Sequence, residues 1–252
     1  MPKMQQRRLV QGRGAWLAQT QGVLTLFVGT QTDLANIWVN DSNIAGFPKA
    51  QISLGQMFST IEMANMSNNT CRVKAYWLIP REATSQDPEA AWNTGIADQN
   101  ITTGAGFQTP TKNTIGTGPT MSPEFNRTWR IQKIKKLTLG AGGHYRTALV
   151  NSAKRKMVSK TNVLAAESYD PKWCRALMFV FSGTLIVDST VSTAVNWGPG
   201  NIAYIQQQNF KYRRIETTIP QLVWSSDATA ITAANQRIMN IEEDVVATVA
   251  TA

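Results

Sequence analysis

Between Cys71 and Pro80 the chain alternates with period two. Cys71, Val73, Ala75 and Trp77 take one side, Arg72, Lys74 and Tyr76 take the other, and Pro80 ends the run. Such a stretch is a strand with one face on a core and the other in solvent. "GVLTLFVG" (22–29) and "RALMFVFSGTLIV" (175–187) are the continuous apolar runs of buried strands, the second broken by Gly183 at what reads as a bulge. "NIAYIQQQNFKYRRIET" (201–217) is a further long strand, and the tail from Ser225 reads as extended. Only 52–66 changes period. There Leu54, Met57, Phe58, Ile61, Met63 and Ala64 fall largely at helical spacing and predict a short helix. From 81 to 123, Thr, Gly, Asn and Pro dominate without periodicity, the mark of a long surface or interface loop. Long strands with wide connections, with no internal repeat in 252 residues, predict one all-β domain: a two-sheet sandwich or a barrel.

The stretch "NRTWRIQKIKKLTLGAGGHYR" (126–146) sets lysines inside a strand pattern. Residues 125–166 hold 10 of the 25 basic residues and none of the 16 acids, whereas 221–252 hold four acids against Arg237 alone. With a net charge of +9, a polyanion is the natural partner for so one-sided a region. The alternation slips between Ile131 and Ile134, so which lysines share a face depends on a bulge. "GAGG" (140–143) reads as a hairpin-type turn joining this strand to the next, "HYRTALVNSAKRKMVSK". Trp129, Tyr145 and Tyr212 stand among the cations, as core residues or as platforms for bases.

Catalytic chemistry finds little footing. His144 is the only histidine and sits beside a glycine turn, without the nucleophile and acid that a triad needs. One histidine with Cys71 and Cys174 builds no zinc set, and both thiols read as buried and free. "GAGG" lacks the Lys-Ser/Thr of a phosphate loop. The expectation is no enzyme, no metal and no cofactor. No apolar run reaches membrane-spanning length, and the first residues lack the apolar centre of a signal peptide, which predicts a protein kept in the cytosol or nucleus. Binding is the function left, through phosphate rather than base contacts.

The order of four segments resembles the capsid proteins of circular, replication-protein-encoding single-stranded DNA viruses, the circovirus-like group. These are "MFSTIEMANMSNNTCRVKAYWLIP", "FNRTWRIQKIKKLTLGAGG", "RALMFVFSG" and "QQNFKYRRIE", spread in that order over residues 52–217. The resemblance implies a single jelly roll of eight antiparallel strands in two sheets, with a short helix and long inter-strand loops. It implies a short basic arm over 1–20, the jelly-roll domain over 21–220 and an extended tail over 221–252. Self-assembly into an icosahedral shell of about sixty copies around single-stranded DNA would follow, in the virion and, during assembly, the host nucleus. Members of that group usually open with a long Arg-rich arm, whereas here Lys3, Arg7, Arg8 and Arg13 stand in its place. The candidate nucleic-acid contacts are Arg7, Arg8, Arg13, Arg130, Lys133, Lys135, Lys136, Lys154, Arg155, Lys156, Lys211, Arg213 and Arg214. A small RNA virus capsid protein and a non-viral single-strand-binding β module are the alternatives, since phosphate contacts ignore the 2′-hydroxyl. A jelly-roll lectin or sugar-acting enzyme fits less well, without a signal peptide or acid clusters for calcium. The sequence names no host attachment factor.

Overall fold

A computed structural model of the chain describes residues 3–45, 50–97, 110–187, 195–215 and 238–243. The strands are β1 (Lys3–Trp16), β2 (Gln21–Val28), β3 (Gln51–Asn65), β4 (Cys71–Pro80), β5 (Trp129–Leu139) and β6 (His144–Ser159). They continue with β7 (Arg175–Gly183), β8 (Leu185–Val187), β9 (Val195–Trp197), β10 (Gly200–Ile215) and β11 (Ile238–Glu243). The helices are short: α1 (Gln31–Asn40), α2 (Ser42–Ala45), α3 (Pro88–Ala97), α4 (Pro123–Thr128) and α5 (Lys160–Leu164), with a 3-10 turn at Pro119–Met121.

Two antiparallel sheets face each other, in the orders β11-β1-β10-β3-β6 and β2-β7-β4-β5, and β8 and β9 form a separate ribbon. Setting that ribbon and β11 aside, the chain crosses between the sheets at every connection except β4 to β5, which pair side by side. Eight strands wound in this order are a jelly roll. Its core lies between the sheets, where alternation turns one face of each strand inward. Trp16 of β1 stacks on Phe181 of β7 at 5.7 Å. Every residue from Ala176 to Phe181 is buried, because β7 is covered on both faces. On its outer side, Tyr76, Leu78, Ala176 and Met178 join one cluster with Ala91, Trp92 and Ile96 of α3 and Phe125 of α4.

Several local expectations change. Residues 52–66 form no helix; they are β3, with Ile52, Leu54, Met57, Ser59, Ile61, Met63 and Asn65 buried in turn. A register shift falls at Gly55–Gln56, and this insertion spaces Leu54, Met57, Phe58 and Ile61 as a helix would. The stretch 81–123 contains α3 rather than only loop. The glycine turn is real, with Gly142 at φ 67°, yet β5 and β6 lie in different sheets, so it is a crossover and not a hairpin. Gly183 makes no bulge. It ends β7 where a Cβ would collide with the Gly198 carbonyl, and Leu185–Val187 leaves for the ribbon. Residues 3–16, expected as a basic arm, form β1 and pair along their length with β10. Of the tail, only β11 is described, paired with β1; the rest of 221–252 lies outside the described residues.

One side chain ties the crossover together. Asn65 is fully buried and its Nδ2 donates to the carbonyls of Asn69 at 2.8 Å, Leu139 at 3.1 Å and Gly140 at 3.0 Å. Its Oδ1 accepts from the Ser67 amide at 3.1 Å. Asn65→Ala removes these bonds and leaves the buried Leu139 carbonyl without its side-chain donor, and the expected loss is about 2 kcal/mol of stability, read from the shift of a urea midpoint.

Candidate nucleic-acid interface

Strands β4 and β5 pair in register from Cys71↔Leu139 to Trp77↔Lys133, so directly opposed residues share a face. Cys71, Val73 and Ala75 are buried in the core, which assigns the core side to their partners Leu139, Leu137 and Lys135, and to Lys133 opposite Trp77. Arg72, Lys74, Lys136 and Thr138 take the outward side and are exposed. The expected bulge exists: the register jumps from Trp77↔Lys133 to Leu78↔Ile131, leaving Gln132 as the extra residue. It settles the faces. Lys133 and Lys135 share one side of β5, and Lys136 turns to the other.

β5 is the edge of its sheet, where lysines also discourage pairing with another chain. The core-side pair curls over aromatic rings at the margin of the sandwich. Lys133 Nζ lies 5.1 Å from the Trp77 ring centre and Lys135 Nζ lies 4.9 Å from that of Tyr145. Trp77 is fixed in turn by its Nε1–H, which donates to the Ala148 carbonyl of β6 at 3.3 Å. On the outward side Lys74 stands directly opposite Lys136. Like charges in that relation destabilise a sheet. None of Arg72, Lys74, Lys133, Lys135 and Lys136 forms an ion pair among the described residues. Five cations therefore crowd one strand pair without a counter-ion. Arg72 and Lys74 were legible as outward residues of the 71–80 alternation, but their place in a cluster depends on the partner strand.

A second basic surface lies on the outward face of the five-stranded sheet. Arg7 and Arg13 of β1 and Lys211 and Arg213 of β10 are exposed there without ion-pair partners among the described residues. Arg7 sits opposite Asn209, two residues from Lys211, so these three and Arg213 fall within a patch of about 15 Å, with Arg13 about 20 Å along β1. The candidate list is thus divided between opposite sides of the sandwich.

Two of its members are engaged by acids. Arg8 Nη1 bonds the Asp33 carboxylate of α1 at 3.1 Å. Burial raises the Asp33 carboxyl above its ordinary range, against the Thr30 amide and the Arg8 charge, which lower it. Arg214 Nη2 and Nε meet the Asp41 carboxylate at 2.9 and 3.0 Å. Arg130 is exposed at the start of β5. Lys156 donates to the Lys172 carbonyl at 3.1 Å. The side chains of Lys154 and Arg155 lie outside the described residues. Of the aromatics, Trp129 and Tyr212 are core residues, 1% and 2% exposed, and so offer no platform to a base. Tyr145 is half-buried beneath Lys135.

Among the described residues, no three His, Cys, Asp or Glu side chains gather as a metal set, and no helix is long and apolar enough to cross a membrane. Cys71 and Cys174 are buried and free, and burial raises both thiols, Cys71 to about 12.

No family model and no curated protein matches the chain. Among solved structures, one of Desmodium yellow mottle tymovirus aligns over 85% of this chain and 91% of its own, at 8% identity and a TM-score of 0.28. VP1 of Merkel cell polyomavirus, in complex with disialyllactose, aligns over 83% of this chain and 78% of its own, at 8% identity and a TM-score of 0.17. VP1 of Trichodysplasia spinulosa-associated polyomavirus covers the same shares at 10% identity and a TM-score of 0.18. At these scores the fold rests on the strand order above and not on the likeness.

Proposed function

We propose that the chain is a capsid subunit that assembles with copies of itself and packages nucleic acid through sequence-independent phosphate contacts, in the virion. The observation that carries the nucleic-acid part is the Lys74↔Lys136 pair with Arg72 on the same outward face, while Lys133 and Lys135 add charge on the other side of the same sheet edge. A sheet that keeps like charges face to face gives up stability unless a polyanion lies over them. The jelly roll supports the capsid part, because the four segments that resemble circovirus-like capsid proteins occupy β3–β4, α4–β5, β7 and β10 of that fold. Single-stranded DNA is the proposed cargo on that resemblance. RNA meets the same phosphate chemistry.

The two basic surfaces face opposite ways, so in a closed shell only one can line the interior. The β4–β5 patch is assigned that role, as the denser of the two. The candidates on the other surface, Arg7, Arg13, Lys211 and Arg213, then meet solvent or a neighbouring subunit.

Electron microscopy of the purified protein, with the ratio of absorbance at 260 and 280 nm before and after nuclease, tests the reading. Uniform closed shells holding nuclease-protected nucleic acid are expected, and sequencing of the contents distinguishes DNA from RNA. Small particles that bind oligonucleotides at any concentration but never close would replace the capsid with a single-strand-binding module.

A further inference from the structure

Lys156 leads to a different part of the molecule. It lies near the end of β6, opposite Leu54, in a segment whose next residues enter α5. Here the strand end, α5 and the turn before β7 enclose an open cavity of about 510 Å³. That is the size of a small-molecule site and far more than a lone inorganic anion fills. Its polar lining is Lys156, Lys172, Asn162 and the acid Asp170, and its apolar lining includes Met157 and Ala166.

The polar groups are arranged rather than scattered. Lys156 Nζ is held at the mouth by the Lys172 carbonyl at 3.1 Å. Lys172 is held by its own amide, which donates to Asp170 Oδ1 at 2.7 Å, and its Nζ lies 5.8 Å from the Trp173 ring centre. Asp170, a buried carboxylate in the lining, is the ion-pair partner of Lys172 Nζ at 3.8 Å, and with one acceptor each the two ammonium groups keep two N–H donors apiece for a ligand anion. Trp173 is 5% exposed, and its Nε1–H has no partner among the described residues. The side-chain amide of Asn162 is likewise unengaged there, while its backbone N–H is capped by Ser159.

We propose that this cavity binds one nucleotide unit. Lys156 and Lys172 take the phosphate, the Asn162 amide takes an edge of the base or sugar, and Met157 and Ala166 cover the base. A phosphate with a flat, partly apolar group attached matches both walls, whereas a phosphate alone uses one of them. The site lies apart from the β4–β5 patch and stands whether or not the chain builds a shell.

Calorimetric titration of nuclease-treated full-length protein with dAMP tests it. Saturable binding of one dAMP per chain is expected. Lys156→Ala/Lys172→Ala is expected to weaken binding by about tenfold or more, from the loss of two charged hydrogen bonds. Lys172→Ala alone, at a side chain 65% exposed, keeps the fold and is expected to weaken binding several-fold, on the order of one such bond. Lys74→Ala/Lys136→Ala is expected to leave affinity within about twofold, because distant surface charge is screened. Absence of saturable binding overturns the site. So does equal weakening by the Lys74 and Lys136 changes, which would mean diffuse attraction, or inorganic phosphate binding as tightly as dAMP. Competition by a 5′-phosphorylated oligothymidylate supports a nucleotide within a strand as the occupant, and dAMP binding without such competition supports a free one.

Discussion

Replacing Asp41 with alanine should cost about 3–5 kcal/mol of folding stability, a large share of what a single domain possesses. Asp41 ends α1, where its N–H donates to the Ile37 carbonyl and its own carbonyl accepts from Ile44 and Ala45. Its carboxylate, 1% exposed, takes both arms of the Arg214 guanidinium and the Tyr212 hydroxyl, the latter at 2.8 Å. Removing it leaves a guanidinium only 13% exposed without the charge that offsets its desolvation. Arg213→Ala provides the contrast. That side chain is one residue away on β10 but points outward, and its loss should stay within about 0.5 kcal/mol. Denaturation of both variants and the parent separates the two. Equal losses would mean that β10 is placed one residue out of register.

The same pair shows what the sequence could tell. Arg213 and Arg214 stood together in the basic ending of a strand, and both were candidates for nucleic acid. Period two sends neighbours to opposite faces, so at most one of them could belong to a given surface. Choosing which needed the partner, and Asp41 lies 173 residues away in the chain. The strands of the core were readable because burial leaves a periodic mark, as in β2, β4, β7 and β10. β3 was not, because its bulge at Gly55–Gln56 changed the phase and imitated a helix. The hairpin reading of "GAGG" failed for a related reason. Turn chemistry fixes that the chain reverses, but not whether it returns beside itself or crosses to the facing sheet. Here Asn65 of β3 holds the turn from the far side, and β6 pairs with β3 instead. The basic cluster was half legible. The lysines of β5 and the outward set of β4 were each visible, but their meeting is a matter of register, which no single strand carries.

That register yields the second large effect. The interaction between residues 74 and 136 follows the product of their charges, whereas attraction for a polyanion follows the sum. Lys136→Glu turns the product attractive and brings the sum to zero. Its expected result is a subunit more stable by about 0.5 kcal/mol and a preparation with most of its nuclease-protected nucleic acid gone. Lys74→Glu/Lys136→Glu restores the repulsion, so stability should fall back towards that of the parent, while packaging falls further as the sum becomes negative. Binding of oligothymidylate should show the same order, with the salt dependence losing about 0.7 from its logarithmic slope for each phosphate contact removed. Stability that rises and then falls while binding only falls is the signature of a like-charge pair kept for its ligand. Normal packaging by the single variant would remove nucleic acid from this face. Charge reversal at Arg7 and Arg213 would then be expected to reduce packaging, because these cations lie on the outward face of the other sheet.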